Sequence, residues 1–502
     1  MTNMIPNLED FAATAKSGES QLLYTKLVLD LETPVSAMLK LADRYDGPKF
    51  LLESVEGGES RGRYSIIGLE PDMLWRCFGN RSEVSHTAPF TEDSFEPSWE
   101  DSLTSLRKWV ESVQLEMPEG LPPMAAGLIG HMGYDMVKLM ERLPDENPDE
   151  INIPDACFMR PTLLLIFDAV DGVVYVIAPI WKEALAKGDA KALYGAARQR
   201  IERIGNILQG PIDQRHYYRD EQIEPLDFTS NTDQETYHGM IAKAKEYIAS
   251  GDIFQVVLGQ RLSADFDASP FSLYRSLRYL NPSPFLFYLE FGGYTLVGSS
   301  PEILVRLRDE TVTIRPIAGT RWRGKTPADD AALAEDLLSD EKECAEHLML
   351  LDLGRNDVGR IAAPNSVTVT DQMIVERYSH VMHIVSNVEG TLAEGKDAID
   401  ALVAGFPAGT VSGAPKIRAM EIIEELEPTK RSFYAGCVGY FSGNGSMDTC
   451  IALRTALVKD GKIYVQAGGG VVADSDPEAE RQESLNKAKA VMEAARMAKR
   501  FG

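Results

Sequence analysis

Two pairs of glutamates set the chemistry open to this chain. Glu343 and Glu346 are three residues apart, as are Glu480 and Glu483, so on a helix each pair shares one face. An E-x-x-E pair on a helix is ordinarily a solvated face, but the neighbourhoods here argue otherwise. Glu346-His347 runs straight into Leu348-Met349-Leu350-Leu351, so the first pair borders a stretch expected to be buried. The second helix follows Gly468-Gly469-Gly470, with Asp476 as N-cap and Pro477 at the first helical position. Glu478 is accounted for by the helix dipole, whereas Glu480 and Glu483 lie further in. Oxygen ligands without a cysteine or histidine cluster favour magnesium, which takes one or two protein carboxylates and fills its octahedron with water and substrate oxygens. The two helices are expected to face each other across such an ion.

Three other segments carry candidate groups. Residues 378–386 alternate as a strand, which puts His380 and His383 on opposite faces. A single strand histidine is ordinarily structural; His383 is also a candidate acid or base, because imidazole titrates near neutral pH. The 406–416 segment is not a Walker A loop, since the spacing is absent and Pro415 precedes Lys416. Its small residues either cradle an anion with backbone amides or simply start the helix expected over 417–426. Arg454 falls in a mostly apolar stretch, 449–455, read as a strand, where a buried guanidinium needs a substrate carboxylate or a structural acid as partner.

The elements that must position these groups follow from the whole chain. Its 502 residues exceed one core, and two domains are expected, 1–220 and 221–502, parted by polar sequence between about 210 and 230. Expected strands cover 22–29, 50–54, 64–69, 162–167 and 173–178, with Gly57-Gly58 as a break. Thr33 and Pro34 begin a helix, a long amphipathic helix spans 182–208, and another spans 234–250. Gly127, Gly130 and Gly133 suggest close backbone approach ahead of a short helix. Strands and helices do not alternate cleanly. That predicts an α+β fold of large antiparallel sheets packed as a sandwich, with helices outside and the two domains intimately associated.

Bulk properties exclude several functions. A net charge of −25 disfavours nucleic acid and anionic membranes as partners, and no apolar run is long enough to span a bilayer. Five cysteines without CxxC spacing, and a start without a signal-peptide pattern, suit the cytoplasm. A small anionic substrate would then need arginines, backbone amides or a metal.

Taken in order, several motifs resemble the chorismate-binding enzymes, and among them the large subunits of anthranilate synthases. They are 251–255, Gly298-Ser299-Ser300-Pro301-Glu302, 316–321, 346–357, 406–416, Asp448-Thr449-Cys450-Ile451 and 468–474. The resemblance spans nearly the whole chain. It implies a lyase that converts chorismate and ammonia to anthranilate and pyruvate with Mg2+, in tryptophan biosynthesis. Glu346 and Glu483 would ligate the ion, with Glu343 and Glu480 acting through water. Tyr434, Arg454 and backbone at Gly468 and Gly470 would hold the pyruvyl carboxylate, while Gly319, Thr320 and Thr410 line the ring. His383 would move the proton in pyruvate elimination, and Glu302 would assist departure of the C4 hydroxyl.

Ala318 stands where relatives that use a lysine nucleophile or base carry that lysine, so the attacking group must come from outside. No segment resembles a glutamine amidotransferase, so ammonia is used free or supplied by a separate amidotransferase subunit in a heterotetramer. The resemblance also implies feedback inhibition by tryptophan, bound by Glu53 and Ser54, by Pro284, Phe285 and Leu286, and by Gly439 and Tyr440. Two alternatives remain: an aminodeoxyisochorismate synthase of secondary metabolism, or a catalytically silent tryptophan-sensing subunit.

Overall fold

The computed structural model describes residues 3–54, 62–220, 222, 225–378 and 381–502. His380 and the Gly57-Gly58 break lie outside the described residues. The strands join into one antiparallel hydrogen-bonded network, as the α+β expectation required. The Lys49–Glu53 strand lies between Tyr64–Phe78 and Phe285–Glu290, and Gly127–Met132 pairs with Cys437–Ser442. Among the described residues, two ladders therefore tie 3–220 to the rest of the chain.

Alternation along the strands separates two apolar cores. Phe50, Ile66, Leu164 and Phe287 point into one, whereas their neighbours Leu51, Ile67, Leu165 and Tyr288 point into the other. The first core joins strands to helices such as Gln234–Ser250, which gives Tyr237, Met240 and Ile241. The second is closed by helices, among them Pro270–Leu280, which gives Leu273 and Leu277, and Pro477–Met497, which gives Ala488, Val491 and Ala495. This is a sandwich with helices outside.

Helix boundaries follow the capping chemistry. Thr33 and Ser36 form a capping box at Pro34–Ala42, and Asp476 caps Pro477–Met497 with proline at its first position. The Gln234–Ser250 helix ends at Gly251, which takes a left-handed conformation. One expectation needs correction. The helix read over 182–208 is two, Lys182–Leu185 and Ala190–Leu208, because Asp189 caps a new start by accepting from the Ala192 N–H. The periodicity carried through that break; the N-cap signal did not.

The glycines at 127, 130 and 133 do mark close approach. A Cβ on Gly133 would lie 2.7 Å from the Ser432 carbonyl oxygen, and one on Gly127 or Gly130 would collide with backbone of the neighbouring strand. Aromatic rings impose the same limit elsewhere: Phe50 opposite Gly68 and Phe287 opposite Gly298 cover their cross-strand glycines, where a side chain would strike the ring. Among the described residues no helix is long and apolar enough to cross a membrane.

Candidate active site

The Ile317–Trp322 strand, its partner Val381–Thr391 and the Glu341–Gly359 helix form one wall of the site. The register slips between Ala318 and Thr320, and Gly319 sits in the bulge at φ +70°. A residue with a Cβ is strained there, so glycine is required. The bulge turns the Gly319 carbonyl towards His383, whose Nδ1 lies 2.9 Å from that oxygen and 3.1 Å from Thr320 Oγ1. A carbonyl only accepts, so Nδ1 carries the proton and Nε2 keeps its lone pair. Burial lowers the His383 pKa below the usual imidazole value, and nearby Arg454 pushes the same way, against the Gly319 carbonyl. His383 is therefore a neutral base with its tautomer set by the backbone.

Glu302 is the opposite case. It is 6% exposed, and burial raises its pKa to about 8, although Thr410 and the Ile317 N–H favour the ionised form. Thr410 Oγ1 lies 3.1 and 3.2 Å from the two carboxyl oxygens. At neutral pH this carboxyl holds its proton and can donate it. A base and an acid of separated pKa thus sit near one strand bulge.

Arg454 corrects the sequence reading. It lies not in a strand but in the link between Met447–Ile451 and Thr455–Lys459, at φ +47°. Its guanidinium makes no hydrogen bond or ion pair among the described residues, and burial lowers its pKa. A largely buried cation with no acid beside it among the described residues, close enough to His383 to shift its titration, can receive an anion. Tyr434 is 3% exposed, contacts the Gly468 backbone, and burial pushes its phenol up to about 12.

The glycines Gly468, Gly469 and Gly470 pair with Gly259, Leu258 and Val257. A Cβ on Gly468 would lie 2.7 Å from the Leu258 carbonyl oxygen, and one on Gly470 would strike the Gln255 amide. That amide donates from Nε2 to Glu346 Oε1 at 3.3 Å, so Gln255 links the glycine strand to the first glutamate pair. Sequence reasoning gave Gln255 no role; its place at the start of a strand facing three glycines was the available signal.

The four glutamates form two pairs and do not draw into one cluster: among the described residues no group of three or more metal-ligating side chains is close enough to hold an ion. Glu343 is half-buried; burial and then Glu346 raise its pKa, and Arg321 Nη1 stands 3.8 Å from its Oε1. Glu480 Oε1 accepts from Ser475 Oγ at 2.6 Å, while its Oε2 is shut from solvent without a partner. A Cβ on Gly469 would lie 2.9 Å from that orphaned oxygen and 3.9 Å from Glu483 Oε1, so two oxygens border the hollow that glycine leaves. Glu483 itself is exposed and pairs with Lys487 at 2.8 Å. The i,i+4 spacing of Glu483 and Lys487 was legible and went unread. Leu348, expected to be buried, is exposed, while Leu350 and Leu351 are buried.

Part of the 406–416 segment is tied up in pairing. Gly413–Ala414 is hydrogen-bonded as a strand to Gln255 and Val256, and Lys416 Nζ is held by Asp357 Oδ2 at 2.7 Å. Of the residues expected around tryptophan, the ladder pairs Glu53 with Leu286, next to Ser54, Phe285 and Pro284. Gly439 and Tyr440 lie on another strand, between Gly127–Met132 and Met447–Ile451. Glu53 is not free: Arg278 Nε donates to its Oε2 at 2.8 Å, and the Tyr274 hydroxyl donates to the same oxygen.

The chain matches the sequence model for the chorismate binding enzyme family over residues 48–493. It is 55% identical over 492 residues to anthranilate synthase component 1 of Cereibacter sphaeroides, with 97% of each chain covered. To the Pseudomonas putida protein of the same name it is 46% identical, covering 98% of this chain and 99% of the other. Its fold resembles the crystal structure of anthranilate synthase component I from Streptococcus pneumoniae TIGR4, with a TM-score of 0.75, 39% identity, and 86% and 92% of the two chains covered. The menaquinone-specific isochorismate synthase of Escherichia coli shares the fold at a TM-score of 0.70 and 21% identity, over 97% and 98% of the two chains. The chain belongs to the chorismate-binding enzyme family, as a member of its anthranilate synthase component 1 group.

Proposed function

We propose that this chain is the large subunit of an anthranilate synthase, a lyase that makes anthranilate and pyruvate from chorismate and ammonia. The observation that carries the reading is the pairing of a protonated acid, Glu302, with a neutral base, His383, beside the unpaired Arg454. Ala318, next to the Gly319 bulge, offers no nucleophile, so the amine arrives from solution or from an amidotransferase subunit. Ammonia attacks C2 while Glu302 protonates the departing C4 hydroxyl, which leaves as water. His383 Nε2 then takes the C2 proton as the C3–oxygen bond breaks, and the enolpyruvyl group leaves as pyruvate. Arg454, with Tyr434 and the backbone at Gly468 and Gly470, holds the pyruvyl carboxylate. Gly319, Thr320 and Thr410 flank the ring. Residues 1–220 contribute the regulatory region and 221–502 the catalytic one.

Magnesium fits the glutamate pairs. The orphaned Glu480 oxygen and the mutual repulsion of Glu343 and Glu346 are both relieved by a cation, and magnesium needs only one or two protein carboxylates. Glu346 and Glu483 would hold it, with Glu343 and Glu480 behind them. When bound, the ion neutralises the substrate's ring carboxylate in a strongly acidic protein. Replacing Glu346 (Glu346→Gln) should weaken magnesium binding at least tenfold in calorimetric titration, about 1.4 kcal/mol; an unchanged isotherm takes Glu346 out of the ligand set.

The proposed roles predict a bell-shaped pH dependence of kcat/KM, which reports the groups of the free enzyme. His383 works neutral, and its pKa is lowered, so activity is lost only as pH falls below the ordinary imidazole range. Glu302 works protonated, so activity is lost as pH rises through about 8. His383→Ala should slow pyruvate release on the order of 100-fold and abolish the acid limb; a retained acid limb assigns it to another group.

Tryptophan is the proposed inhibitor. Ser54 and the 284–286 segment adjoin Glu53, whose carboxylate already serves Arg278 and Tyr274. An incoming ammonium group would have to share or displace those donors, which couples tryptophan binding to the Pro270–Leu280 helix. Inhibition curves of Ser54→Ala should shift to at least tenfold higher tryptophan; wild-type inhibition would place the site elsewhere.

A further inference from the structure

Glu302 and Thr410 also line a small cavity of about 20 Å³ between the Glu341–Gly359 helix and the 405–410 turn. A water needs roughly 10–15 Å³ by this measure. The space therefore has room for about one water. Its other acidic lining residue is Asp357, on the same helix. Lys416 Nζ donates to Asp357 Oδ2 at 2.7 Å, and among the described residues no donor reaches Oδ1. The side chains of Lys416 and Asp357 keep 10% and 9% exposure, so the pair meets solvent at one edge while Glu302 stays inside.

We propose that Asp357 resupplies the proton Glu302 spends in each turnover, through a single water held in this cavity. The inference rests on the reading of Glu302 as the acid. Once the C4–oxygen bond has broken, Glu302 is a carboxylate, and the substrate-filled face of the site no longer offers it bulk water. An O–H bond of the cavity water breaks as the Glu302 O–H forms. That water regains its proton from Asp357 as Lys416 Nζ, 2.7 Å away, passes one of its own to Asp357 Oδ2, and a solvent hydronium or buffer acid reprotonates Lys416 at the exposed edge. Nothing is oxidised or reduced, and one proton passes from solvent to Glu302. Burial raises the pKa of both carboxyl groups, to about 8 at Glu302, and Lys416 and Arg360 oppose the rise at Asp357. Thr410 and the Ile317 N–H face Glu302, whose charge in turn reaches Tyr378. Asp357 touches no reacting atom; it is a positioning residue that acts through Glu302.

The test compares D357N, D357E, G354A and E302Q in the full-length protein, with chorismate, magnesium and ammonium at saturation. Gly354 lines the same cavity, and a methyl there would lie 3.5 Å from Ile314 and 3.8 Å from Pro316, both lining residues, taking room from the water. Alanine is favoured over glycine inside a helix, so G354A keeps the fold if D357N does not. With the relay, D357N and G354A lower kcat about tenfold at pH 8, leave KM for chorismate within about twofold, and raise the solvent deuterium isotope effect. D357E recovers most of the rate. Wild-type kcat, pH profile and isotope effect in G354A, or a D357N loss equal at every pH and matched by a lower Tm, overturn the proposal. Full turnover in E302Q would instead show that the acid assignment itself is wrong.

Discussion

The ion pair of Arg431 with Glu427 holds the site together. Arg431 is 1% exposed, and its guanidinium donates to Glu427 Oε2 at 2.9 Å and Oε1 at 2.6 Å. Its remaining donors reach the Val411 carbonyl at 2.7 Å and the Val257 carbonyl at 2.7 Å, while Glu427 Oε1 accepts from the Gly259 N–H at 2.8 Å. Burial pulls the Arg431 pKa down, but Glu427 more than offsets it and the net direction is up. A buried pair is tolerable only when its remaining donors and acceptors are met, as here. Its partners matter more than its energy. Val411 follows Thr410, the hydroxyl on Glu302, and Val257 and Gly259 pair with Gly470 and Gly468. One guanidinium thus fixes the turn carrying the acid's partner against the strand that supports the glycine wall.

Around that anchor the chain solves one electrostatic problem twice. A protein of net charge −25 must accept a dianionic substrate. One proposed answer is Arg454, which has no acid partner among the described residues and is largely buried. The other is carboxylates paired closely enough that burial and mutual repulsion raise Glu343 and Glu480. In the proposed magnesium site, a divalent cation would turn that repulsion into attraction for the substrate. The bulge at Gly319 connects the two regions, because its carbonyl orients His383 while Glu343 Oε2 would lie 3.2 Å from a Cβ there.

Much of this was legible before any coordinates. Caps at Thr33 and Asp476, the Gln234–Ser250 helix and the spacing of both glutamate pairs are local properties, and local chemistry fixes them. Family resemblance suggested the roles proposed for His383, Glu302 and Tyr434, which spacing left open. What stayed hidden depends on contacts distant in sequence. The Arg431 anchor reaches Val257 across 174 positions, and Glu53 meets Arg278 across 225. Arg454 was misplaced because its apolar neighbours read as one strand, whereas its positive φ ends that run and turns it away from a regular ladder. The interruption near Asp189 was missed because hydrophobic period outweighed a capping signal.

Identifying the products formed by the purified chain from chorismate, ammonium and magnesium tests the central claim most directly. Mass spectrometry and anthranilate fluorescence report the aromatic product, and a coupled assay reports pyruvate. Equimolar anthranilate and pyruvate are the predicted result, because the roles proposed for Glu302 and His383 cover both amination and elimination. An amino-cyclohexadiene that keeps its enolpyruvyl group, or no turnover despite tryptophan binding, would contradict the account.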